Sequence, residues 1–105
     1  MTNKVVQEAF AKRKLLYEES EKVSLESDRL YEEGFKLYKQ KGSSNFKAEG
    51  YEFYAEAKKL YSEAEQLRVQ GDLILVKAVL QELGNVEMEW YLHGAVSING
   101  ELYSF

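Results

Sequence analysis

Apolar and small side chains recur along most of this chain with a period of seven. Aligned in blocks, the sequence reads KLLYEES (Lys14 to Ser20), EKVSLES (Glu21 to Ser27), DRLYEEG (Asp28 to Gly34) and FKLYKQK (Phe35 to Lys41). After Gly42 and Ser43 it resumes with SNFKAEG (Ser44 to Gly50), YEFYAEA (Tyr51 to Ala57), KKLYSEA (Lys58 to Ala64), EQLRVQG (Glu65 to Gly71) and DLILVKA (Asp72 to Ala78). The third place of each block is apolar throughout: Leu16, Val23, Leu30, Leu37, Phe46, Phe53, Leu60, Leu67 and Ile74. The seventh is almost always small: Ser20, Ser27, Gly34, Lys41, Gly50, Ala57, Ala64, Gly71 and Ala78. Alternating steps of four and three residues between these columns are the seam spacing of a coiled coil. Tyr17, Tyr31, Tyr38, Tyr54 and Tyr61 in the fourth place widen the seam into the stripe of a packed bundle.

Small residues on one column let two helix backbones approach closely, with large residues of the facing helix filling the space left over. Glycine inside a helix costs about 1 kcal/mol against alanine, and close approach supplies the reason for Gly34, Gly50 and Gly71. Gly42, Ser43, Ser44 and Asn45 interrupt the repeat just after Lys39 and Lys41, a C-terminal pattern followed by possible caps. The pattern predicts an antiparallel two-helix coiled-coil hairpin. Helix 1 covers about 3–41, the turn 42–45 and helix 2 about 46–84. The competing reading, one rod of about 80 residues and about 120 Å, needs a parallel oligomer that small seam residues do not favour.

Gly84 and Asn85 mark the exit of the second helix, and a β tail over 86–105 completes one mainly α domain. Asn99-Gly100 is a strong hairpin signal. A two-residue turn there opposes Ile98 to Glu101 and Val96 to Tyr103, so Val96, Ile98, Tyr103 and Phe105 share a face. An isolated hairpin is marginal in water, so that face is expected to dock on the helices or on a partner.

Composition then removes function classes. The chain has 105 residues, a formal net charge of −4 and no cysteine or proline. Disulfides and thiolate chemistry are therefore excluded, and there is no basic field for nucleic acid. Met1 to Phe10 lack the apolar core of a secretion signal and no run of about 18 apolar residues exists, so no membrane span and a cytoplasmic location are expected. His93 and Glu89, four residues apart, would share a helical face, but two ligands do not make a metal site. Glu18 with Glu19 and Glu32 with Glu33 are adjacent and so do not face each other on a helix. No enzyme chemistry, cofactor or metal is expected.

The expected function is therefore binding. Trp90, Tyr91, Tyr103 and Phe105 crowd a tail whose neighbouring sequence offers acid but no base, and Tyr54 and Tyr61 line the helices. Aromatic anchors of this kind dominate binding hot spots. They also suit a plug closing the open end of a hairpin, the reading that Trp90 favours. DRLYEEG, YEFYAEA, KKLYSEA, EQLRVQG and the closing INGELYS resemble the tandem heptads of small bacteriophage-encoded accessory proteins. The resemblance implies a virus-encoded protein that binds and inhibits a host or defence protein, and carries over no functional residue. A homo-oligomer pairing hairpins into a bundle is expected alongside the protein partner. The alternatives are a structural coiled-coil oligomeriser or assembly chaperone and, last, an acidic mimic of nucleic acid, which the lysines in both helices disfavour.

Overall fold

Asn3 starts the first helix: its side-chain oxygen accepts from the Val6 amide at 3.1 Å, satisfying a donor that has no partner within the helix. The computed structural model describes residues 3–40 and 48–103, and of 37–40, 48, 49 and 93 the backbone only. Helix α1 spans Lys4–Gln40 and helix α2 Ala48–Leu83. The expected turn at 42–45 lies outside the described residues, as do the seam residues Lys41 and Phe46 and the tail residue Phe105. Gly84 ends α2 at φ +80°, where its amide reaches back to the Leu80 carbonyl at 3.2 Å. An added Cβ would meet nothing within 4 Å there, so it is the left-handed backbone that demands glycine. No described helix is long and apolar enough to cross a membrane.

Three short strands follow: β1 (Met88–Trp90), β2 (Val96–Ile98) and β3 (Glu101–Tyr103), with one turn of 3₁₀ helix at Leu92–Gly94. They form an antiparallel meander in the order β1-β2-β3. Val96 pairs with Tyr103 and Ile98 with Glu101, the register the turn sequence predicts. Asn99 and Gly100 both have positive φ, 51° and 82°, as a two-residue primed turn requires. The tail is nevertheless more than a hairpin. Met88 pairs with Ile98 and Trp90 with Val96, which makes Val96–Ile98 the central strand and buries all three of its residues.

The fold divides into two units, each drawing on both helices: residues 1–16 with 69–105, and residues 17–68. In the first, Val6, Ala9, Leu75, Ala78, Val79, Val96 and Ile98 form the buried core, flanked by Phe10, Ile74, Val86, Met88 and Tyr103. The hairpin face thus docks on the helices.

In the second unit the seam is the expected column with an unexpected mate. Ser20 Oγ donates to the Ala64 carbonyl at 2.8 Å, and Ser27 Oγ to the Ala57 carbonyl at 2.7 Å. A Cβ on Gly34 would lie 3.1 Å from the Gly50 carbonyl oxygen. Going up α1 by seven residues means going down α2 by seven, which is antiparallel packing with small residues facing small ones. The expectation that large residues fill the space opposite the small ones holds in part: Ser20 and Ser27 meet the opposite backbone carbonyls, and at Gly34 the Gly50 carbonyl shares the space with Phe53 Cβ, 3.2 Å from where a Cβ would lie. Leu16, Val23, Phe53, Leu60 and Leu67 flank their seams half-buried, while Ser20, Ser27, Ala57 and Ala64 are buried.

Candidate protein-binding surface

One cation organises the tail. Arg13 stands in the seam column one repeat before Ser20, where every later place on the described part of α1 holds a small residue. It fits because Gly71 faces it: a Cβ on Gly71 would lie 3.2 Å from Arg13 Cγ and 3.4 Å from its Cα. Arg13 is almost wholly buried, at 1% exposure. Its Nε donates to Asp72 Oδ1 at 2.9 Å and its Nη1 to the Gly94 carbonyl at 2.7 Å. The charge also lies over the Trp90 ring, 5.5 Å from the centroid. Burying a charge is costly unless it is paired and hydrogen-bonded; here one fork ties α1 to α2, to the 3₁₀ turn and to β1. The expectation of a tail with acid but no base is thereby corrected, since the base arrives from the other end of the chain.

Gly71→Ala should consequently cost about 1 kcal/mol, although alanine is the better helix former by a similar amount. The pinned arginine has no room to yield. Thermal unfolding beside Gln70→Ala, an exposed neighbour, checks this.

The predicted binding residues separate by unit. In the first, Trp90 is 46% exposed, with Tyr91 and Leu92 following at 49% and 86%. Trp90 is therefore not the plug. Met88, Val96, Ile98 and Tyr103 fill that role, with the Tyr103 ring 5.4 Å from that of Phe10. Tyr91 hydroxyl donates to Glu89 Oε2 at 2.6 Å, which holds the phenol above its ordinary pKa and fixes its direction. Glu89 sits on strand β1 and His93 in the 3₁₀ turn, so the helical spacing that would have made them neighbours does not exist.

In the second unit Tyr54 meets Tyr31 edge-on at 5.4 Å and Tyr51 at 6.1 Å. With Gly34, Phe35 and Tyr31 it lines an apolar recess of about 160 Å³. Tyr61 is exposed.

Comparison with known protein families, curated proteins and solved structures finds no match. The surface is thus read from its own chemistry. Among the described residues no three His, Asp or Glu side chains group to hold a metal ion. What the first unit does present is Trp90, Tyr91 and Leu92 in succession, carried on a strand and turn that Arg13 clamps from beneath. Rigid aromatic area with little rotamer entropy to lose is the recurrent composition of a binding hot spot.

Tyr103 belongs to the fold instead. Its hydroxyl is enclosed and makes no close hydrogen bond. Burial, and after it the neighbouring Glu101 carboxylate, push the phenol up to about 12. A raised phenol keeps its proton in the folded chain while the unfolded chain loses it. The stability it confers is complete below the ordinary phenol value of 10.0 and drains away as pH rises toward about 12. Tyr103→Phe should therefore flatten that alkaline loss. At neutral pH it should stay within about 1 kcal/mol of the parent, because the enclosed hydroxyl it removes makes no close hydrogen bond. Denaturant titrations of both chains at neutral and alkaline pH test both statements.

Proposed function

We propose that this chain is a non-enzymatic protein-binding module of bacteriophage origin that works in the host cytoplasm by binding and inhibiting a host or defence protein. The observation that supports it is the Trp90-Tyr91-Leu92 run, large, exposed and held on a clamped scaffold. Glu89, whose carboxylate accepts from the Tyr91 hydroxyl, gives that run an acidic border. A partner with an apolar pocket bordered by lysine or arginine fits it. Tyr51, Tyr54 and Tyr61 offer a second aromatic surface in the other unit. The alternative, a structural oligomeriser or assembly chaperone, finds support in exposed leucines on α2 and predicts self-assembly without any captured protein.

The test is capture from bacterial lysate with the full chain and with Tyr91→Ser/Leu92→Ser. Both side chains are exposed, so the variant should keep its helicity. A stoichiometric partner retained by the parent and lost by the variant is the expected result. Equal capture by both chains, or none by either, would overturn the tail as the contact surface. Expression of the chain in a host carrying the captured defence should restore phage sensitivity; an unchanged host would refute inhibition.

A further inference from the structure

The outward side of α2 changes character part-way along. In one seven-residue register the helix presents Ala55, Lys59, Ser62 and Gln66, and then, in the same register, Val69, Leu73, Val76, Leu80 and Leu83. The second set follows steps of four, three, four and three. That is a coiled-coil seam, and it is not the seam used against α1, which runs through Gly71 and Ala78 on the other side of the helix. Leu75, Ala78 and Val79 are already buried in the core with β2. The five residues of the second seam are not: Val69 is 54% exposed, Leu73 50%, Leu80 52% and Leu83 36%, with Val76 half-buried between them. Scattered exposed leucines need no explanation, whereas a contiguous apolar stripe in register marks an interaction surface.

We infer that this stripe is a self-association interface, filled by the same stripe of a second copy running parallel to it. Two observations select that occupant. Alternating four- and three-residue spacing is matched only by another helix of like spacing, because each side chain inserts between four residues of the facing helix. The flanking charges are also self-complementary. Asp72 borders the stripe on one side and Lys77 on the other, five residues apart. In a parallel in-register pair that is the separation at which a residue meets its counterpart across the seam, so Asp72 faces the partner's Lys77, and does so twice by symmetry. An antiparallel pair brings no such opposite charges together. Asp72 keeps its bond to Arg13 and still has 37% of its side chain exposed to receive a lysine. The stripe includes none of Trp90, Tyr91 and Leu92, so substitutions in it test self-association separately from the function proposed above.

The lack of native cysteine makes a direct test available. The unmodified full chain should sediment at two copies or more of its 12.2 kDa mass, in a concentration-dependent way. Leu73→Ser/Leu80→Ser should sediment as a single copy with unchanged helicity. Lys77→Glu should weaken association roughly fivefold, with partial recovery in high salt. Val76→Cys, treated with diamide, should form a disulfide-linked dimer, since a central seam residue of a parallel pair faces its own counterpart. Gln81→Cys, exposed and off the stripe, should not. A parent chain that stays single at the highest concentration reached overturns the inference. So does association that survives the double serine variant, and so does Val76→Cys cross-linking no better than Gln81→Cys.

Discussion

Replacing Arg13 by methionine should lower stability by about 3 kcal/mol, a fall in melting temperature of roughly 15 °C for a domain of this size. Methionine retains much of the stem's apolar volume, so the loss isolates what the guanidinium does. The Gly94 carbonyl would lose the donor 2.7 Å away, and Asp72 would lose its cation. Exchanging both members of a buried ion pair for apolar groups can be neutral, but removing one strands the other. Asp72 keeps 37% of its side chain in water and can rehydrate, which holds the effect at the lower end of the range for buried pairs. Gly94, the buried last residue of the 3₁₀ turn, has no such escape. Trp90 also loses the charge over its ring, so its emission should shift as the tail loosens, ahead of the helical signal on heating. Arg13→Lys should recover only part of the loss, because one ammonium does not reproduce a fork reaching Asp72 and Gly94 at once. A methionine variant melting within a few degrees of the parent would refute this account of the clamp.

The places where sequence and structure agree are those where the physics is local. Gly84 and the Asn99-Gly100 pair are legible because a positive φ selects glycine or asparagine whatever surrounds it. The seam is legible because its period survives any choice of partner. Arg13 escaped because its meaning lies across the fold, in Gly71 opposite and in a carbonyl far along the chain. A signal for it exists. Carrying the register back one block, over Gln7 to Arg13, puts Ala9 and Phe10 in the correct apolar places and leaves an arginine where small residues belong. Strand β1 was hidden for another reason: three residues are too few to show alternation, and Met88–Trp90 pairs only because Val96–Ile98 offers an edge. In the stretch Leu73 to Val76 every residue is apolar, so hydropathy alone does not divide it. The core takes Leu75, and Leu73 is left on the surface. The candidate site divided likewise, with Tyr103 drawn into the fold by strand pairing and Tyr91 left outside it.

Ser27→Leu is the sharpest probe of the seam, and it should lower stability by about 3 kcal/mol or more, while Ser27→Ala costs about 1 kcal/mol or less. The two substitutions remove the same hydrogen bond, from Ser27 Oγ to the Ala57 carbonyl. That carbonyl lies mid-helix in α2 and keeps its own helical donor, so alanine leaves no stranded acceptor and regains some helix propensity. Leucine adds carbon where there is no room for it. Ser27 is 1% exposed and Ala57 wholly buried, and the hydroxyl stands 2.7 Å from the opposite backbone. At an ordinary seam a larger side chain finds a hole between facing side chains. Here the facing surface is backbone, which does not change rotamer, so the helices have to part, and the packing of buried Leu30 and half-buried Phe53 loosens with them. Leu15→Ser, exposed on the same helix, supplies the baseline for a change that leaves the seam alone. A Ser27→Leu chain unfolding at the same denaturant concentration as Ser27→Ala would mean that the helices have slack to give, and small residues facing small would then not be what sets their separation.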